Sequence, residues 1–128
     1  MTNRQFASLA GAVYLVIGGL GALVYVFPIG AFDQTLHLAV GIWGVTAASS
    51  VATALSFARK TAVLFAAVAV LELAPIVRSQ FDGWLLPGPL LPLLHLLTAW
   101  GAGYYGYYWT DAVAEGQGER AEELRKAA

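Results

Sequence analysis

The sequence contains no cysteine and only one methionine among its 128 residues. The absence of cysteine excludes disulfides, thiolate metal sites and cysteine nucleophiles. Charged residues are also scarce: they make up 12% of the chain, about half of their share in soluble domains. The net charge is −1, which argues against nucleic acid as a partner.

Apolar residues dominate what remains. They make up 59% of the chain, and the mean hydropathy is +0.66. A chain of this size has too little interior to hide so much apolar surface from water, so we predict that its solvent is a lipid bilayer. Four apolar runs are long enough to span it as helices, at about 6–27, 36–58, 61–77 and 90–109. The predicted fold is therefore an all-α integral membrane protein, a bundle of four transmembrane helices.

Most basic residues fall on one side of the predicted spans. Arg78 is the exception, because it follows the third run on the opposite side. The others are Arg4, Arg59, Lys60, Arg120, Arg125 and Lys126. Since cytoplasmic segments carry an excess of Lys and Arg, we predict cytoplasmic termini in an inner or plasma membrane. Residues 1–110 would form the transmembrane domain, and 111–128 a polar cytoplasmic tail.

Both histidines occur in the same local sequence, Leu-His-Leu, at His37 and His95. Each is followed by small residues four and seven positions later, and each belongs to a run that follows another apolar run. This pattern predicts an internal repeat of two tandem helical hairpins. Small residues on one stripe let helix backbones approach, so we assign helix packing to Gly11, Gly18, Gly41, Gly44, Ala99 and Ala102.

Several of these short motifs occur together in a known family. They are the glycine-rich run from Gly11 to Gly21, the run His37-Leu-Ala-Val-Gly-Ile-Trp-Gly44, the pair Ala58-Arg59, and His95. Over roughly residues 8–106 the chain resembles a family of small bacterial proteins that belongs to a domain of unknown function. The resemblance implies four transmembrane helices and brings no established activity with it.

Ionisable side chains inside the apolar runs are the candidate functional residues. Glu72 lies within the third run, where a carboxylate costs a few kcal/mol unless it is protonated or paired. We therefore predict an intramembrane cluster in which Glu72 contacts His37, His95 or Arg78. Three aspartates fall at predicted helix ends, where capping or contact with water is expected: Asp33, Asp82 and Asp111.

Several functions are compatible with such a cluster. The first is purely structural: the imidazoles hydrogen-bond neighbouring helices. The protein would then be a non-enzymatic structural or accessory subunit of a membrane complex, or a homo-oligomer. A second is a redox or ligand-binding module, with His37 and His95 holding a b-type haem or, with Glu72, a metal ion. A third is a proton-linked channel or transporter. The sequence contains no phosphate-binding loop and no hydrolase or metalloprotease motif.

Overall fold

Four helices form the body of the protein. The computed structural model describes residues 1–24, 31–74, 90–109 and 120–127, and these are almost entirely helical. The helices are α1 (Asn3–Val24), α2 (Ala31–Ala47), α3 (Val51–Glu72) and α4 (Leu90–Gly103), which continues into a π-helical segment, Tyr104–Tyr108. Residues 120–127 form a further helical segment. The predictions for Arg78, Asp82 and Asp111 concern positions outside the described residues.

The helices pack as two antiparallel pairs. α1 packs most extensively on α2, and α3 on α4. In the first pair Gly11 lies opposite Gly44 and Gly18 lies opposite Leu38, so the two backbones are in close contact. The pairs meet through ring contacts between α1 and α3, including one between Tyr14 and Phe65 with centroids 5.0 Å apart. The core of the molecule therefore lies between two helical hairpins.

The boundary between α2 and α3 differs from the prediction. The apolar run 36–58 was expected to be one helix ending at Arg59-Lys60, but α2 ends at Ala47 and α3 begins at Val51. Ser50 has extended backbone, and its hydroxyl accepts a hydrogen bond from the Thr53 amide at 3.2 Å. That bond satisfies one of the free amides of the first helical turn, which is how serine starts a helix. Hydropathy alone does not register such a cap, so the predicted boundary was wrong.

Two arginines, one in each hairpin, link the two helices of that hairpin at the end of the bundle that carries the amino terminus. Arg4 Nε donates to the Ala48 carbonyl at 2.9 Å, and Arg59 Nε donates to the Gly106 carbonyl at 2.8 Å. Positions 48 and 106 each lie eleven residues after a histidine of the Leu-His-Leu repeat. Carbonyls at helix ends lack partners within the helix, and each arginine supplies one from the preceding helix. The two hairpins thus share this arrangement as well as their histidines.

The outer surface of the four helices is largely apolar. Large apolar side chains are exposed on every one of them, among them Leu9, Val16, Ile42, Val45, Val63, Val70, Leu97 and Trp100. Among the described residues, α3 is long and apolar enough to cross a membrane, judged by length and composition. The buried side chains are fewer, and they include polar groups beside the apolar core.

Close approach of α1 and α2 gives a first prediction. A Cβ added at Gly44 would lie 2.7 Å from Gly11 Cα and 2.9 Å from the Ala7 carbonyl oxygen. We expect Gly44→Ala to destabilise the protein by about 1–3 kcal/mol, because backbone atoms must move apart. Unfolding in detergent micelles measures the loss.

Gly19→Ala is the matched control. A Cβ there meets no atom of the described residues within 4 Å, and alanine is the better helix former by up to about 1 kcal/mol. This variant should be as stable as the parent or slightly more so. Equal stability of the two variants would contradict the packing described for α1 and α2.

Candidate functional site

The first two turns of α2 carry two buried polar side chains. Asp33 and His37 are four residues apart, so they lie on the same face of the helix, and both are fully buried. The sequence placed the start of this helix near Leu36 and assigned Asp33 to a cap or to water. That assignment was wrong, because the helix begins at Ala31 and turns Asp33 into the interior.

The end of α3 and the first part of α4 contribute the next pair. His95 Nδ1 lies 2.9 Å from Glu72 Oε2, and both side chains are buried. If Glu72 is ionised, its carboxylate can only accept, and the imidazole N–H at Nδ1 is then the donor. With the proton on Nδ1, the lone pair of a neutral His95 is on Nε2. That atom lies 3.8 Å from Asp33 Oδ1.

Two aromatic rings pack on the two imidazoles. His37 stacks on Tyr14 with centroids 5.1 Å apart, and His95 stacks on Phe65 at 5.0 Å. The imidazoles themselves are 5.6 Å apart, and the Tyr14 hydroxyl hydrogen-bonds Thr98 Oγ1 at 2.5 Å. These contacts hold both histidines side by side in apolar surroundings.

Several polar atoms of this group have no hydrogen-bond partner among the described residues. They are both carboxylate oxygens of Asp33, both ring nitrogens of His37, Nε2 of His95 and Oε1 of Glu72. A buried polar atom without a partner costs about 1–3 kcal/mol, and the cost is larger for a charged group. Moreover, one ligand atom from each of Asp33, His37 and His95 lies within 4.8 Å of the other two. The unpartnered atoms therefore converge on one point.

A proton shared by His95 and Asp33 would satisfy part of this group. Protonated at Nε2, His95 would hydrogen-bond Asp33 once their separation of 3.8 Å closed by about 1 Å. The ring nitrogens of His37 would still have no partner among the described residues. A divalent cation between the three side chains would contact all of them and offset the charges of the two carboxylates.

The spacing is close to what a metal ion requires. Ligand atoms at about 2.0–2.2 Å from an ion are about 2.8–3.6 Å from one another in octahedral or tetrahedral geometry. The ligand atoms, now within 4.8 Å of one another, would therefore have to close in by roughly 1–2 Å when the ion binds. Imidazole and carboxylate ligands suit zinc and divalent iron, cobalt or manganese. Glu72 would then orient the His95 ring through its contact with Nδ1, the nitrogen that does not bind the ion, as carboxylates do for metal-bound histidines.

The same geometry is unsuited to a haem between His37 and His95. A bis-histidine haem needs the two imidazoles on opposite faces of a porphyrin. The 5.6 Å between the ring centroids does not by itself exclude axial ligation, but Tyr14 and Phe65 stack on the two imidazoles and on each other, so the rings fill the space beside the pair that a porphyrin would need. The residues present therefore fit a single ion better than a macrocycle.

The structure brings together three of the residues that the sequence singled out: His37, Glu72 and His95. Arg78 lies outside the described residues. Of the predicted packing positions, Ala99 is half-buried and the others are buried: Gly11, Gly18, Gly41, Gly44 and Ala102. Sequence reasoning missed Asp33, although its spacing of four from His37 was a usable signal. It also missed the ring contacts of Tyr14 and Phe65, and no pattern in the sequence indicated them.

Comparisons with protein-family models, with curated proteins and with solved structures gave no match. The resemblance to a family of small four-helix membrane proteins therefore remains a prediction.

The hydrogen bond between His95 and Glu72 gives a second prediction. Glu72→Gln keeps an oxygen that accepts from His95 Nδ1, so we expect a stability within about 1 kcal/mol of the parent. Glu72→Leu leaves the buried Nδ1–H without its acceptor and should cost about 1–3 kcal/mol. Thermal unfolding of both variants in the same detergent measures the difference. If the leucine variant were as stable as the glutamine variant, the hydrogen bond would not matter for the fold.

Proposed function

We propose that this chain is a small integral membrane protein whose four helices hold one divalent transition-metal ion. Asp33, His37 and His95 would be the protein ligands, and Glu72 would orient His95. The observation that carries the proposal is the convergence of unpartnered ligand atoms from three fully buried side chains. The function is thus a form of the ligand-binding alternative that the two histidines suggested.

The apolar exterior supports the membrane part of the proposal. Large apolar side chains are exposed on all four helices, and such a surface is costly in water but suits lipid. Helix α3 has the length and composition of a membrane span. The other helices extend to the edges of the described ranges, and the sequence predicts apolar runs of spanning length for each of them.

The basic residues support one orientation. Arg4 and Arg59 lie at the end of the bundle that carries the amino terminus, and each binds a helix-end carbonyl there. By the positive-inside rule that end faces the cytoplasm of an inner or plasma membrane. The buried centre then lies toward the opposite face, because Asp33 is in the first turn of α2 and Glu72 is the last residue of α3.

Cysteine labelling tests the orientation, since the chain has no cysteine of its own. In intact cells a membrane-impermeant thiol reagent should label Phe32→Cys and should leave Ala121→Cys unlabelled. Opening the cells should expose Ala121→Cys, because the tail would be cytoplasmic. Labelling of Ala121→Cys in intact cells would reverse the orientation.

Metal content tests the proposed site. The full chain, purified in detergent with a tag that contains no histidine, would be stripped with a chelator and reloaded with zinc or cobalt(II). We expect saturation near one ion per chain. His95→Ala and Asp33→Asn should each weaken binding by about ten- to a hundredfold or more, because each removes a ligand, which costs at least as much as loss of a supporting contact.

Glu122→Gln is the matched control for Asp33→Asn. It removes a carboxylate from the exposed tail, where Glu122 pairs with Lys126 at 2.8 Å, and it should bind metal like the parent. Circular dichroism of each variant shows that the helices are retained. The proposal fails if the parent takes up no ion, or if His95→Ala and Asp33→Asn bind as tightly as Glu122→Gln.

A further inference from the structure

The proposed centre has fewer protein ligands than a metal ion accepts. Divalent zinc takes at least four donors, and iron, cobalt and manganese commonly take five or six. Within the described ranges, three side chains converge: Asp33, His37 and His95. Glu72 is not among the side chains whose ligand atoms converge, and its Oε2 is engaged with Nδ1 on the far side of the His95 ring.

The remaining neighbours of the centre offer no further donor among the described residues. Phe65 is apolar and stacks on His95. Tyr14 presents its ring face to His37, and its hydroxyl is engaged with Thr98. A second oxygen of Asp33 is available, which raises the converging donors among the described side chains to four. An ion of the five- or six-coordinate class therefore has coordination positions that the described side chains do not fill.

We infer that the metal centre is open, with at least one position for an exchangeable ligand of the size of water or a diatomic molecule. The inference rests on the proposed function, because it concerns the same ion. The packed rings of Tyr14, Phe65 and the two imidazoles restrict the ligand to a few atoms. Two histidines and one carboxylate with open positions is the ligand set that allows divalent iron to bind small molecules.

Nitric oxide is the probe that tests this inference. It is small, uncharged and able to enter an apolar protein interior, and it binds divalent iron only where a position is free. The full chain, loaded with iron(II) without oxygen and freed of excess iron, would be exposed to nitric oxide. The spectrum should change from one silent in conventional EPR to a half-integer-spin iron–nitrosyl signal that accounts for most of the bound iron.

Three controls assign the signal. Micelles taken through the same loading without protein report unbound iron and should give no signal. His95→Ala should lose the signal together with its iron, whereas Glu122→Gln should give the same signal per chain as the parent.

The two proposals fail in different ways. If the chain binds one iron per chain but nitric oxide produces no nitrosyl signal, the centre is closed, and the open position is refuted while metal binding stands. If the chain binds no iron, zinc or cobalt, the metal analysis refutes the proposed function, and the open position falls with it. A signal that persists in His95→Ala at parental strength would place the nitrosyl elsewhere and also overturn the inference.

Discussion

The hydrogen bond from His95 to Glu72 is the contact on which the geometry of the buried centre depends. It joins α3 to α4 at 2.9 Å, and with an ionised Glu72 the proton of a neutral imidazole lies on Nδ1. The other nitrogen is thereby directed toward Asp33 on α2. A single hydrogen bond within the second hairpin thus determines which atom of His95 faces Asp33 of the first hairpin. Without it, the His95 ring could rotate, and the convergence of ligand atoms would be lost.

Close helix packing provides the frame for this contact. Gly11 and Gly44 let α1 and α2 approach until their backbones touch, and this brings Tyr14 against His37. At the other end of the bundle, Arg4 and Arg59 bind the carbonyls at which α2 and the π-helical segment end. The two hairpins are therefore fixed at one end by arginines and meet at the other around polar side chains. A cation between those side chains would serve as the third connection.

Sequence patterns predicted part of this arrangement. The two histidines and Glu72 stood out because ionisable residues are rare in apolar runs, and the structure places all three in one cluster. Asp33 did not stand out, because hydropathy placed the start of the second helix after it. The boundary between α2 and α3 was missed for a related reason. Ser50 acts through one hydrogen bond, and an average over apolar residues does not detect a single bond.

The ring contacts could not have been predicted at all. Tyr14 and Phe65 belong to different hairpins, and which aromatic side chain reaches an imidazole depends on how the hairpins are rotated against each other. Their positions nevertheless argue against the haem that the histidine pair left open, because the two rings stack on the imidazoles and on each other. That argument depends on tertiary packing.

X-ray absorption spectroscopy of the metal-loaded protein tests the central claim most directly. The account predicts a first shell of nitrogen and oxygen ligands at about 2.0–2.2 Å, together with the outer-shell scattering of two imidazole rings. That outer-shell scattering should fall to a single ring in His37→Ala loaded at the same ratio. A first shell of oxygen alone, or a spectrum unchanged by loss of His37, would contradict a centre built from Asp33, His37 and His95.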